Sequence, residues 1–314
     1  MVRREFLGRL GAAVGAAPLL GCSSSAEAAA ESAYPPVGRF VEVEGLKLHY
    51  VDEGEGPALV LIHGASGNLR DWTFSMTSRL KDRYRVIAFD RPGHGYSGRP
   101  DEQGHDPSVQ ARLLAAGADA LGVERAIVVG HSWGGSVTTA WALARPDQTA
   151  GAVSIAGATY PWGGDGGFLY RIGASAVGGA VSAAARAYVS GDRRTSVVRD
   201  VFAPNAMPPG YAEHIGIDLA LRSDTFQWNA EDINRLNDHL KTLAPRYGEI
   251  VAPVEVLHGD ADETVYLDVH SLPLAEAVAN GRLTVLPGVG HMPHHVREGQ
   301  VVDAIDRVRA AAFG

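Results

Sequence analysis

Gly130-His131-Ser132-Trp133-Gly134 is the most constraining stretch of this chain. It follows a run of Ala, Ile and Val at 126–129 and precedes an Ala-rich segment of helix length at 134–144. A strand that turns into a helix over so few residues holds its central residue in strained geometry, and flanking glycines let neighbouring backbones come close. Such a turn exposes the serine hydroxyl, and the helix N-terminus behind it favours developing negative charge. The N–H of Trp133 is then available to an oxyanion.

The rest of the chain supplies a sheet for that turn. Phe40–Val43 and Leu46–Val51 flank Glu44-Gly45 and read as an antiparallel hairpin. Val- and Ile-rich runs follow at 58–62, 85–89, 126–129 and 152–155, and again at 254–257 and 283–286. Continuous rather than alternating hydrophobicity predicts strands covered on both faces, as in a parallel sheet. Helices are expected at 107–121, 134–144, 267–279 and 299–312. The interval 160–248 lacks strand runs and reads as a helical cap over the C-terminal edge of the sheet, with a turn at Pro208-Pro209-Gly210. Its aromatic residues (Trp162, Tyr170, Tyr188, Phe202, Tyr211, Phe226 and Trp228) are expected to pack mainly on one another.

Composition excludes several function classes. One Cys among 314 residues rules out an internal disulfide and a Cys-based metal site. A formal charge of −8 argues against a general nucleic-acid binder. No run of about 20 apolar residues suggests a polytopic membrane protein. Gly93-His94-Gly95-Tyr96-Ser97-Gly98 satisfies a dinucleotide-binding pattern, but Arg99-Pro100, Gly104 and Pro107 prevent the helix that would hold a pyrophosphate. No metal or organic cofactor is expected.

A serine at neutral pH needs a base, and the base an orienting acid. His258-Gly259-Asp260-Ala261-Asp262 follows one predicted strand and Gly288-Val289-Gly290-His291 follows the next, so both reach the sheet edge that carries Ser132. With His63-Gly64 after the third strand and Asp90-Arg91-Pro92-Gly93-His94-Gly95-Tyr96-Ser97 after the fourth, the chain resembles the α/β-hydrolase fold family over residues 37–312. The resemblance implies an eight-stranded, mostly parallel sheet with helices on both faces, the core being 37–159 and 249–314 and the cap 160–248. It makes Ser132 the nucleophile, His291 the general base and Asp262 the acid, with Asp260 as rival. The N–H groups of Ala65 and Trp133 become the oxyanion hole. His63, His94 and His258 are expected to make structural hydrogen bonds, and His294 and His295 to be polar loop or rim residues.

The nucleophile narrows the reaction. Dehalogenases and epoxide hydrolases of this fold use Asp where this chain has Ser132. The expected activity is hydrolysis of a small-molecule carboxylic ester through an acyl-enzyme; a C–C hydrolase, lactonase or perhydrolase with the same triad and an idle binding protein are the alternatives. An activity-based fluorophosphonate is the natural probe of such a serine.

Residues 1–21 form a different segment. Arg3-Arg4-Glu5-Phe6-Leu7, an apolar middle and small residues at the end resemble a twin-arginine export signal, with Val2 in place of the usual Ser or Thr. Leu19-Leu20-Gly21-Cys22 resembles a bacterial lipobox, which implies acylation of Cys22 and a lipid-anchored cell-envelope protein, with simple secretion as the alternative. Loss of three Arg and one Glu with that signal takes the charge from −8 to −10. Ser23 to Tyr34 reads as part of a flexible tether spanning 22–36.

Overall fold

The computed structural model describes residues 23–163, 171, 173–175 and 178–314. Its centre is one eight-stranded sheet in the order β1-β2-β4-β3-β5-β6-β7-β8. The strands are β1 (Arg39–Val43), β2 (Leu46–Glu53), β3 (Ala58–Ile62), β4 (Arg85–Phe89), β5 (Ala126–His131), β6 (Thr149–Ile155), β7 (Val254–Gly259) and β8 (Gly281–Leu286). The hairpin β1/β2 joins antiparallel to β4, and every pairing from β4 to β8 is parallel. This is the α/β-hydrolase fold. The parallel arrangement sends the loops after β3, β4, β5, β7 and β8 to one edge.

Helices cover both faces. The first in chain order among the described residues are α1 (Ser23–Ala33), α2 (Arg70–Thr73), α3 (Met76–Leu80), α4 (Pro107–Ala120) and α5 (Trp133–Ala144). Helix α4 starts where the sequence offers a start: the Asp106 carboxylate accepts the Ser108 N–H at 2.7 Å and Pro107 fills the first turn. One apolar cluster joins α4 and α5 to the sheet through Leu114, Val137, Trp141, Ile62 and Phe89. The other face is closed by Trp72, Leu80, Val301, Ile305 and Val308, the last three from α13 (Glu298–Phe313). Each large side chain so buried contributes about 1.5–3 kcal/mol.

The insertion after β6 is helical among its described residues: α6 (Gly178–Tyr188), α7 (Asp192–Asp200), α8 (Tyr211–Ile215), α9 (Ile217–Ala220) and α10 (Ser223–Leu243). Of its aromatics, Phe202 and Tyr211 meet edge to face at 4.9 Å, whereas Phe226 lies among the aliphatic Ala185, Val189 and Leu221 and Trp162 meets His270, so the expected mutual packing holds only in part among the described residues. Tyr170 lies outside the described residues. The cap boundary is less sharp than a cut at residue 248. Leu236, Leu240 and Leu243 of α10, then Tyr247, pack into the large core cluster, so the last cap helix returns into the body, where α11 (Leu267–Ala277) follows β7.

The tether expectation is corrected. Residues 23–33 are helix α1, which lies against α9. Ala and Glu are strong helix formers, and burial of Ala30 gives this helix an apolar contact. The Glu27 carboxylate accepts the Ser223 N–H at 2.9 Å, and Arg222 donates to Glu31 at 2.8 Å. The export signal 1–21 and Cys22 lie outside the described residues. Among the described residues no helix is long and apolar enough to cross a membrane.

Candidate active site

Ser132 sits between β5 and α5 with φ 53° and ψ −120°, a conformation that costs a non-glycine residue about 1–3 kcal/mol. Close packing holds it there. A Cβ on Gly130 would lie 2.2 Å from the Gly134 carbonyl oxygen, and one on Gly134 would lie 2.4 Å from that of Ile62. The Ser132 N–H donates to Ile155 O at 3.0 Å, and Ser132 O accepts from Gly135 and Ala158 at 2.9 and 3.0 Å. Trp133 opens α5, so its N–H has no partner within the helix.

Three residues, the outermost 159 positions apart in sequence, meet at this turn. Nε2 of His291 lies 2.9 Å from Ser132 Oγ, and Nδ1 lies 2.7 Å from Asp262 Oδ2. Asp262 follows β7 and His291 follows β8. The other Asp262 oxygen accepts the Thr264 and Val265 N–H groups at 2.8 and 3.0 Å. Nε2 of His258 faces the Val265 carbonyl at 2.8 Å and Asp262 Oδ2 at 3.2 Å, so it carries a proton there. Burial pushes the Asp262 carboxyl up, but His291 and His258 outweigh it and hold the group well below the usual carboxylate range. An ionised, buried acceptor fixes the His291 tautomer with Nε2 free to take a proton from Ser132. Asp260 is elsewhere, accepting the Gly288 N–H at 2.7 Å.

The loop after β3 flanks the serine. A Cβ on Gly64 would lie 3.0 Å from Ser132 Cβ, which places the Gly64–Ala65 peptide beside Ser132. His63 has a structural role: it accepts the Arg91 N–H on Nε2 at 2.9 Å, so Nδ1 carries the proton and donates to Gly64 O at 2.8 Å. Burial, then Arg91, pushes the His63 pKa down to about 3, and the ring is neutral.

Beside this set lies a second buried cluster, and here the expectation for His294 and His295 is corrected. Both are buried rather than at a rim, because each donates to Asp71 of α2, at 3.0 and 2.7 Å. The Tyr211 hydroxyl donates to the same carboxylate at 2.7 Å, so α2, the cap and α12 (Pro293–Val296) are fastened together. His131 Nε2 donates to His291 O at 2.8 Å. Asp71, His131 and His294 are the described residues whose ligand-type atoms come within 4.8 Å of one another. Three donors already occupy the Asp71 carboxylate, and the cluster reads as structural. No sequence signal marked Asp71; its partners are 140 to 224 positions away.

A family model for the α/β-hydrolase fold matches residues 57–298. This chain belongs to the α/β-hydrolase fold family. Haloalkane dehalogenase 2 of Mycobacterium tuberculosis (strain ATCC 25618 / H37Rv) is 36% identical over 135 residues, covering 42% of this chain and 45% of that protein. The chain thus spans less than half the length of that curated relative. An uncharacterised protein of the same strain is 27% identical over 292 residues, covering 87% of this chain and 81% of its own. Among solved structures, the enol-lactonase from Burkholderia xenovorans LB400 superposes with a TM-score of 0.71 at 21% identity, covering 87% of this chain and all of that one. A bacterial membrane phospholipase A superposes with a TM-score of 0.68 at 22% identity, covering 91% of each. These two likenesses are of fold.

Proposed function

We propose that this α/β-hydrolase cleaves a carboxylic ester through an acyl-enzyme on Ser132. The observation that carries the reading is the continuous line from Ser132 Oγ to His291 at 2.9 Å and on to Asp262 at 2.7 Å. His291 takes the Ser132 proton as Oγ attacks the acyl carbon, and Asp262 stabilises the imidazolium. The N–H groups of Ala65 and Trp133 receive the oxyanion; losing one such donor typically costs about 2.7–4 kcal/mol of transition-state stabilisation. The proton on His291 passes to the departing alkoxide, water attacks the acyl group with His291 as base, and a carboxylic acid leaves.

Ser132 also separates this chain from dehalogenation despite the dehalogenase relative. Displacement of a halide by a serine oxygen would leave an ether, which water at this site does not cleave, whereas a carboxylate nucleophile leaves a hydrolysable ester. A panel of esters of varied acyl length, with a lactone, a vinylogous diketone, a haloalkane and hydrogen peroxide as further arms, tests the reading. Ester turnover that vanishes in Ser132→Ala is the expected result; turnover of the haloalkane alone would overturn it.

For location, we propose a lipid anchor on Cys22, supported by Leu19-Leu20-Gly21-Cys22. Fatty-acid labelling that is lost in Cys22→Ala is the expected outcome, and release of an unlabelled protein would support secretion instead.

A further inference from the structure

Beyond the triad, the structure assigns a task to a cap residue: we infer that Asn229 of α10 is a positioning residue that sets the oxyanion peptide. The inference rests on the serine-hydrolase reading and adds to it a part that no motif contains.

The peptide in question links Gly64 to Ala65. It is trans, so its carbonyl and N–H point in opposite directions, and fixing one aims the other. The Gly64 carbonyl accepts from His63 Nδ1 at 2.8 Å and from Arg91 Nη2 at 3.3 Å. The next peptide is held from the cap. Asn229 Oδ1 accepts the Ser66 N–H at 2.7 Å, and Asn229 Nδ2 donates to Ser66 Oγ at 2.9 Å. The backbone N–H can only donate, so this two-point clamp has one orientation. It holds Ser66 at φ 56°, a left-handed conformation that serine does not favour. Both peptides that flank Ala65 are therefore pinned, and with them the direction of its N–H.

The same helix reaches the first clamp as well. Asp232, one turn after Asn229 and fully buried, accepts from Arg91 Nη1 at 2.9 Å and from Arg99 Nη1 at 2.7 Å. Arg91 is thereby tied to α10 while it donates to Gly64. Asn229 is itself buried, and His94 Nε2 lies 3.4 Å from its Oδ1. A side chain so placed cannot exchange with water when the loop shifts; its hydrogen bonds make the loop geometry a property of the cap.

The test separates transition-state binding from substrate binding. Asn229→Ala should lower kcat by about tenfold or more with KM within about twofold, since one oxyanion donor is worth about 10²–10³ in kcat and a displaced one part of that. Inhibition by an alkyl boronic acid, which forms a tetrahedral adduct, should weaken in parallel. Asn229→Asp keeps an acceptor for the Ser66 N–H and should recover most of the loss. An unchanged kcat in Asn229→Ala, or a loss confined to KM, would overturn the inference. Should Asn229→Ala fail to fold, Ser66→Ala removes only the hydroxyl arm and should lower kcat by about two- to threefold at unchanged KM; an unchanged kcat there would overturn it equally. No ester turnover by the wild-type chain would instead remove the serine-hydrolase reading, and this inference with it.

Discussion

Two buried aspartates in this molecule are each served by two histidines, and their environments diverge from there. Asp262 meets His291 and His258; Asp71 meets His294 and His295. Both carboxyls are held well below their usual range against the opposing effect of burial. The difference lies at the far side of the imidazoles. His291 passes on to Ser132 Oγ, whereas Nδ1 of His294 and Nδ1 of His295 are buried without a hydrogen-bond partner. An acid–histidine pair becomes a candidate for catalysis only when its outer nitrogen reaches an activated nucleophile; otherwise it is a fastener. A strongly shifted carboxyl therefore does not by itself identify a catalytic acid.

The largest effect is expected on activity. Asp262→Asn should lower ester turnover by about 10³–10⁴-fold by releasing the His291 tautomer. The matching Asp71→Asn should leave turnover within about threefold, while an amide facing three donors destabilises the fold by about 2–4 kcal/mol. In a chain of this size that lowers the melting temperature by about 3–7 °C. Equal losses of activity in the two variants, measured beside their thermal unfolding, would erase the distinction.

The histidines sharpen it through pH. Burial pushes the His63 pKa down to about 3 and those of His294 and the likewise buried His270 to about 4. The unfolded chain binds protons on these groups below about pH 6.5 while the native chain does not, so stability falls as pH drops from there toward 4. The two aspartates add a further loss below about pH 4, where only their unfolded forms protonate first. Thermal unfolding from pH 8 to pH 4 should therefore show a decline that begins near 6.5. A melting temperature flat down to pH 4.5 would contradict it. The smallest effect belongs to Asp260→Ala, which should change turnover by less than about threefold, since that carboxylate only accepts the Gly288 N–H.

The sheet and the triad-type residues were legible because they depend on local patterns. The Val- and Ile-rich runs at 58–62 and 85–89 are strands with those same bounds, and the glycines around Ser132 announce the turn they permit. Asp71 and Asn229 were not legible. Each acts through partners 140 or more positions away, and neither stands in a motif that spacing could reveal. His294 and His295 read as rim residues because a polar residue is usually exposed; an acceptor from α2, itself short and without a side-chain cap, reverses that. Helix α1 failed for the opposite reason. Its Ala- and Glu-rich sequence favoured a helix, and its place after a lipobox-like Cys22 suggested a tether instead.

The proposed chemistry turns on Ser132 carrying the acyl group. Peptide mass spectrometry after reaction with a fluorophosphonate tests it directly. A single adduct on Ser132 is expected, absent in Ser132→Ala and strongly slowed in Asp262→Asn. An adduct on another residue, or labelling retained in Ser132→Ala, would contradict it.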